Sequence, residues 1–363
     1  MHKRAHGEGT IFFFEPRDLW AAEITMPDGK RRRKYHKTQK VVKDWLLEQR
    51  RLVRDGASIG SGRMTVSEYI DRYMQDVAAH TLRPKTIEGY NSLIELHIKP
   101  ALGSMKLSVL TPAHVQKFYS DQLNLGFSRR TVEFMHAVLH KSLDQAVRWG
   151  MVPRNVCDLV DVPQPERRAM NVWSAEQVKA FLDSVRYHRW YPIYVLAITC
   201  GFRIGEVLGI HYEDVDLANS SINVRHATQT LVGKGIIITT PKTDKSRRLV
   251  TVPATAMQIL KDYLDYTKVN QGLIFTTRSG KPVSSRNLVR HFKLSAQAAG
   301  LPEIRFHDLR HTSATLLLAA GVHPKVVQER LGHSQIGLTL DTYSHVVPSM
   351  QVEAAQKMDD LLV

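Results

Sequence analysis

Apolar positions along the chain change their period three times. Residues 11–14, 20–25 and the stretch ending at Tyr35 are short apolar or alternating runs, with Asp28-Gly29 between the last two. Such runs read as strands joined by a hairpin. Over residues 41–53 the spacing becomes helical and puts Val42, Trp45, Leu46 and Val53 on one face, so a small three-stranded sheet should carry one helix. Residues 55–62 are rich in Gly and Ser and read as a linker. From 65 to 150 the period stays helical. Thr65-Val66-Ser67-Glu68 and Thr111-Pro112-Ala113-His114 look like helix starts, and breaks at 82–86, 97–103 and 128–131 divide the stretch into about four helices.

Residues 162–168 are proline-bearing and charged, as in a second linker. Beyond them Ser174 can cap a helix, and Ile193, Val195, Leu196 and Ile198 mark an apolar helix that ends at Cys200-Gly201. Residues 221–224, 235–240 and 248–252 are strand-like, with a turn at 243–246 expected between the last two. Helices are expected from Ala254 onward. The fold class is therefore mainly α with small β-sheets (α+β), in three domains over 1–60, 64–160 and 170–363. In the tail, Met350, Ala354, Met358 and Leu361 share one face of a short helix.

The chain has 363 residues, with 50 Lys+Arg against 35 Asp+Glu and a formal charge of +15. Polyanions are its natural partners, although charge alone does not separate a nucleic-acid binder from an ordinary basic protein. The first sixty residues carry 14 Lys+Arg against 8 Asp+Glu, and Lys30-Arg31-Arg32-Arg33-Lys34 forms a basic run. A basic edge also blocks strand aggregation, but the run coincides with a sheet of a size that fits a major groove, which favours DNA. Two cysteines, Cys157 and Cys200, are too few for a disulfide framework and suit a reducing cytoplasm. No apolar stretch approaches the ~18 residues of a membrane span, and residues 11–14 are too short for a signal-peptide core.

Candidate chemistry is scattered through the last third: Arg203 in T-C-G-F-R-I-G-E, His307 and Arg310 in H-D-L-R-H-T, His333 in L-G-H-S and Tyr343 in D-T-Y-S-H-V. Arginine forks bind non-bridging phosphate oxygens. Imidazoles handle protons near neutrality, and a tyrosine can carry a phosphoryl group as an ester. The competing readings are a helix-terminal Arg203 paired with Glu206, a packed Tyr343, and zinc held by His307 and His311. The zinc reading lacks the glutamate of H-E-x-x-H, replaced by Asp308, and a third ligand, so no metal is expected. Glycines around Arg203 would let a duplex backbone approach. Lys242, in Thr240-Pro241-Lys242-Thr243, sits on the expected basic hairpin with Lys245, Arg247 and Arg248.

The order of these residues, with Tyr343 ten positions after His333 and thirty-three after Arg310, resembles the tyrosine recombinase (phage integrase) family. The resemblance implies that Arg203 and Arg310 clamp the scissile phosphate, His307 handles a proton or hydrogen bond, and His333 donates to the phosphate. Lys242, in preference to Lys245, is then the general acid, and Tyr343 the nucleophile that forms a 3′-phosphotyrosyl ester without metal, ATP or other cofactor. It further implies an arm-binding domain at the N-terminus, a helical core-binding (SAM-like) domain, a homotetramer on double-stranded DNA with core and arm attachment sites, and a tail helix that docks on a neighbouring protomer. A host bending factor and an excisionase are expected partners. Lys30, Arg31, Arg32, Arg33, Lys34, Lys85, Arg129, Arg130 and Lys245 are the candidate DNA contacts. The N-terminal extension favours integration of a prophage or conjugative element. The alternatives are a type IB topoisomerase-like enzyme and a non-catalytic DNA-binding regulator.

Overall fold

The computed structural model describes residues 8–26, 31–54, 63–166, 171–240 and 247–332, with 356, 358–360 and 362, and the side chains of all these but 51–54. The Asp28-Gly29 turn, Lys30, Lys242, Lys245, His333 and Tyr343 lie outside the described residues. The chain divides into two compact units, residues 1–167 and 168–363.

The first unit opens with an antiparallel sheet in the order β1-β2-β3, formed by β1 (Thr10–Phe14), β2 (Leu19–Thr25) and β3 (Arg31–His36). Helix α1 (Gln39–Arg54) packs Val42 and Leu46 on Ala22, Ile24 and Met26 of the central strand and its end. Strand alternation divides the basic run between two faces. Arg32 and Lys34 pair in register with Ile24 and Ala22, on the face that α1 covers, whereas Arg33 and Tyr35 pair with Glu23 and Ala21 on the open face.

Four helical stretches follow, with their own core around Tyr69, Phe118, Met135 and Leu139. They comprise α2 (Val66–Tyr73) and α3 (Ala79–Thr81), joined by a π-helical stretch Met74–Ala78, then α4 (Pro84–Leu93) and α5 (Lys99–Leu102), joined by another at Ile94–Ile98. The last two are α6 (Pro112–Asn124) and α7 (Arg129–Arg148). Hydroxyls start three of them: Thr65, Thr111 and Ser128 accept from the backbone N–H of Glu68, His114 and Thr131, which satisfies donors the helix cannot. Buried Asn155 accepts from Cys157 N–H at 3.0 Å and donates to Asp144 Oδ1 at 2.6 Å, so it caps the turn after α7. Val156 stands at the first position of that turn, where no hydrogen bond is needed of its N–H.

The second unit is built around α9 (Tyr191–Thr199), buried on every side, with α8 (Ala175–Ser184) before it and the five-residue α10 (Ile204–Leu208) after it. Ser174 caps α8, its Oγ accepting from Gln177 N–H at 3.3 Å. Strands β4 (Val215–Asp216), β5 (Ser221–Val224), β6 (Ala227–Leu231), β7 (Gly235–Thr239) and β8 (Arg248–Thr251) form two sheets, β4-β5-β8 and β6-β7. This corrects the expected pairing of β7 with β8. An unforeseen strand, β6, takes β7 as its partner, and β8 crosses to β5 with Ile222 opposite Val250. Helices α11 (Ala254–Thr267), α12 (Ser285–Ala298), α13 (Asp308–Ala319) and α14 (Pro324–Leu331) complete the unit. No helix among the described residues is long and apolar enough to cross a membrane. The architecture is mainly α with small antiparallel sheets, as expected.

Candidate active site

Buried α9 ends at Cys200, itself 0% exposed, and Gly201 reverses the chain with φ +66°. That left-handed turn is cheap only for glycine. It presents Arg203 as the residue that leads into α10. Arg203 keeps 37% of its side chain exposed, donates from its backbone N–H to Glu206 Oε2 at 3.0 Å and from Nη1 to Glu206 Oε1 at 2.7 Å. The pairing with Glu206 and the outward presentation coexist.

The glycines here serve the protein rather than an incoming duplex. A Cβ on Gly201 would lie 2.4 Å from Leu331 Cδ2, on Gly205 2.7 Å from the Thr228 carbonyl oxygen, and on Gly209 2.8 Å from Ala227 Cα. Gly205 and Gly209 let β6 lie directly on α10, which corrects the expectation of room for DNA.

Arg310 lies in the first turn of α13, 2% exposed. Its Nη1 donates to the carbonyl of Gly201 at 2.8 Å, and its Nη2 to the carbonyl of Leu331. Arg203 Nη2 reaches the carbonyl of Gly332 at 3.5 Å, and Arg248 Nε donates to that of Arg330 at 2.7 Å. Carbonyls 330–332 are the unpaired acceptors at the negative end of α14, where guanidinium groups are favoured. The structure thus brings together Arg203 and Arg310, 107 residues apart, around one helix end that leads straight to His333.

His307 precedes α13 and is exposed, one turn from Arg310 but unlike it in burial. Its ring meets that of His311 edge-on at 5.3 Å. Lost hydration, then the charges of His311, Arg310 and Arg203, push the imidazole down to about 4, so it is neutral at working pH. Asp308 cannot serve as a metalloprotease base, because both of its oxygens are held by Arg305, at 2.7 and 2.8 Å. The His-containing clusters of metal-ligand types among the described residues, His211–Asp214–His226 and His140–Asp144–Asp158, include neither His307 nor His311.

Arg248 differs from its expected place on a solvated hairpin. It is 7% exposed and opens β8, with Nη2 2.9 Å from Glu206 Oε2. Arg330 escaped the sequence reading altogether; it donates to the carbonyls of Thr251 and Thr199 at 2.8 and 2.9 Å. No periodicity marks such a residue, since its partners are main-chain oxygens of distant elements.

The described candidate contacts of the first unit are exposed and dispersed. Lys85 pairs with Glu88 at 2.7 Å near the start of α4. Arg129 and Arg130 begin α7, where Arg130 pairs with Glu133 at 2.6 Å and lies over the Phe134 ring at 4.4 Å. Arg31 and Arg33 both pair with Glu23, the former at 3.3 Å. On the same open face Arg33 lies 6.0 Å from the centre of the Phe12 ring and Arg17 5.7 Å from that of Tyr35.

Residues 171–350 match the phage integrase family, and residues 65–123 the SAM-like N-terminal domain of phage integrases. A tyrosine recombinase XerC-like protein of Caldanaerobacter subterraneus subsp. tengcongensis is 28% identical over 357 residues, 91% of each chain. The ICEBs1 integrase of Bacillus subtilis is 28% identical over 295 residues, 77% of this chain and 79% of the relative. Among solved structures, the Tn1549 transposon integrase in complex with a circular intermediate DNA aligns with a TM-score of 0.72 at 22% identity, over 81% of this chain and 99% of the other. A lambda integrase tetramer bound to a Holliday junction aligns at 0.59 with 19% identity, over 90% and 95%. At these identities the structures speak to the fold, and the matched SAM-like and phage integrase segments, in this order, make the chain a member of the tyrosine recombinase (phage integrase) family.

Proposed function

We infer that this protein is a site-specific recombinase that cuts and rejoins duplex DNA through a 3′-phosphotyrosyl intermediate, and that it integrates and excises a mobile element. The observation that carries this reading is the meeting of Arg203 and Arg310 at the end of α14, immediately before the segment that holds His333 and Tyr343. Phosphoryl transfer is chiefly positioning and charge stabilisation, and two forks at one point can hold both non-bridging oxygens. Tyr343 Oη gives its proton to solvent as the two arginines stabilise phenolate character and attacks phosphorus; a bond to phosphorus forms, and the bond to the 5′ oxygen breaks. Lys242 supplies the proton that the 5′ oxygen takes up, while neutral His307 hydrogen-bonds the phosphate and His333 donates to it. The ester retains the bond energy, so a second strand's 5′ hydroxyl reverses the step.

Residues 1–60 bind arm sites and residues 64–160 the core site, with a homotetramer spanning two duplexes in the cytoplasm. A bending factor and an excisionase set direction. In support, one relative is named ICEBs1 integrase and another is an integrase of Mycobacterium phage D29, and a solved structure of similar fold is a lambda integrase tetramer on a Holliday junction.

Tyr343→Phe is expected to bind core duplex normally and to form no covalent adduct on a nicked suicide duplex run on a denaturing gel. Undiminished adduct would refute the nucleophile. An adduct formed by the unaltered protein excludes a non-catalytic regulator, and joining of two different DNA molecules excludes a topoisomerase.

A further inference from the structure

Arg248 and Glu206 form the most enclosed ion pair among the described residues of the second unit, their side chains 7% and 5% exposed. Arg248 Nη1 and Nη2 donate to the two carboxylate oxygens at 3.2 and 2.9 Å, and Nε holds the Arg330 carbonyl at 2.7 Å. The same carboxylate accepts from the backbone N–H and Nη1 of Arg203 at 3.0 and 2.7 Å. One acid therefore stands between two guanidinium groups, and the trio keeps a single positive charge. Burial by itself would raise the Glu206 carboxyl, but hydrogen bonds and charge from Arg248, joined by Arg203, hold it down to about 2. The acid is ionised at any working pH.

We propose that Arg248 is a positioning residue for strand cleavage: it answers the charge of Glu206, so that this carboxylate orients Arg203 without neutralising it. The inference rests on the reading of Arg203 as a phosphate clamp. Without Arg248, Glu206 and Arg203 would close into a neutral pair, and a phosphate would compete with the carboxylate for one fork. With it, the charge of Arg203 is left for the phosphate. Its third donor ties the end of α14, and so the approach to residues 333–343, to the same acid. A lysine could supply the charge but not three directed donors.

The test is single-turnover cleavage of a suicide duplex by the full chain, with core-site binding and circular dichroism measured in parallel. Arg248→Gln is expected to bind the core duplex within about threefold of the unaltered protein and to cleave on the order of 10²-fold more slowly. Adding Glu206→Gln removes the uncompensated negative charge and should restore cleavage by about tenfold or more, whereas a merely structural network would leave the double variant no faster than the single one. Arg203→Lys is run beside them. Normal cleavage by Arg203→Lys overturns the clamp reading and the inference together. A slow Arg203→Lys, with Arg248→Gln cleaving normally or the double variant recovering nothing, overturns the inference alone. Should Arg248→Gln not fold, the double variant carries the test: cleavage within about tenfold of the unaltered protein supports it, and cleavage as slow as Arg203→Lys overturns it.

Discussion

At Gly201 two constraints coincide, a φ of +66° and a Cβ position 2.4 Å from Leu331 Cδ2. Leu331 is itself fully buried, so it has little room to give. Gly201→Ala should therefore lower unfolding stability by roughly 1–3 kcal/mol, read from urea transitions. A loss within about 0.5 kcal/mol, the scale of surface substitutions, would show that the turn relaxes freely.

His307 makes a pH prediction at the same scale. Its folded value of about 4 lies below the ordinary 6.5, so the unfolded chain takes up a proton that the folded protein refuses. Stability from this group is present above 6.5 and is lost as pH falls from 6.5 towards 4. The residue as a whole is exposed although its ring has lost hydration, so solvent screening keeps the effect small. Ring nitrogen shifts by NMR should show His307 neutral at pH 6, and His307→Gln should flatten the stability profile in that window; a midpoint at or above 6.5 would contradict the crowding of positive charge described for it.

At the scale of elements, β3 shows what strand alternation adds to a basic run. Five consecutive basic residues look equivalent in sequence, yet Arg32 and Lys34 share a face with α1 while Arg31 and Arg33 stand on the open face with Phe12 and Tyr35. Removing residues 1–60 should abolish binding to arm duplexes and spare core duplexes. Arg31→Ala with Arg33→Ala should weaken arm binding and lower its salt slope by about 0.9 for each lost phosphate contact. Gel shifts over a salt series measure both, and equal losses on arm and core duplexes would make the segment part of a single clamp. Strand β6 carries the complementary lesson. Ala227-Thr228-Gln229-Thr230-Leu231 has no clear alternation, and it is a strand because β7 pairs with it and two glycines of α10's stretch let it lie close.

At the scale of the whole molecule the tail matters most. Residues 356, 358–360 and 362 are helical, with Met358 55% and Leu362 78% exposed, and so short a helix is not stable alone. On the proposal that the tail docks on a neighbouring protomer rather than on its own domain, truncation after Val347 should impair recombination far more than core-site binding by a monomer. Sedimentation of protein–DNA complexes with an integration assay reads the outcome, and a truncated protein that assembles tetramers and recombines normally would refute it.

What the sequence determined by itself is whatever depends on near neighbours in the chain. Caps at Thr65, Thr111 and Ser174, the break at 128–131, the apolar face of α1, the apolar run of α9 and the spacing of the family's motifs are local patterns, and each is legible in the order of residues alone. Tertiary structure alone decided the pairing of β7 with β6, the use of Gly205 and Gly209 against β6, and the meeting of Arg248, Arg310 and Arg203 on carbonyls 330–332. Whereas β6 and β7 pair across a short hairpin, the glycine and arginine contacts join residues from about 20 to nearly 130 positions apart. Their reason is the need of a buried charge or an unpaired carbonyl for a partner from elsewhere in the fold, a need that leaves no periodic trace in the residues that meet it.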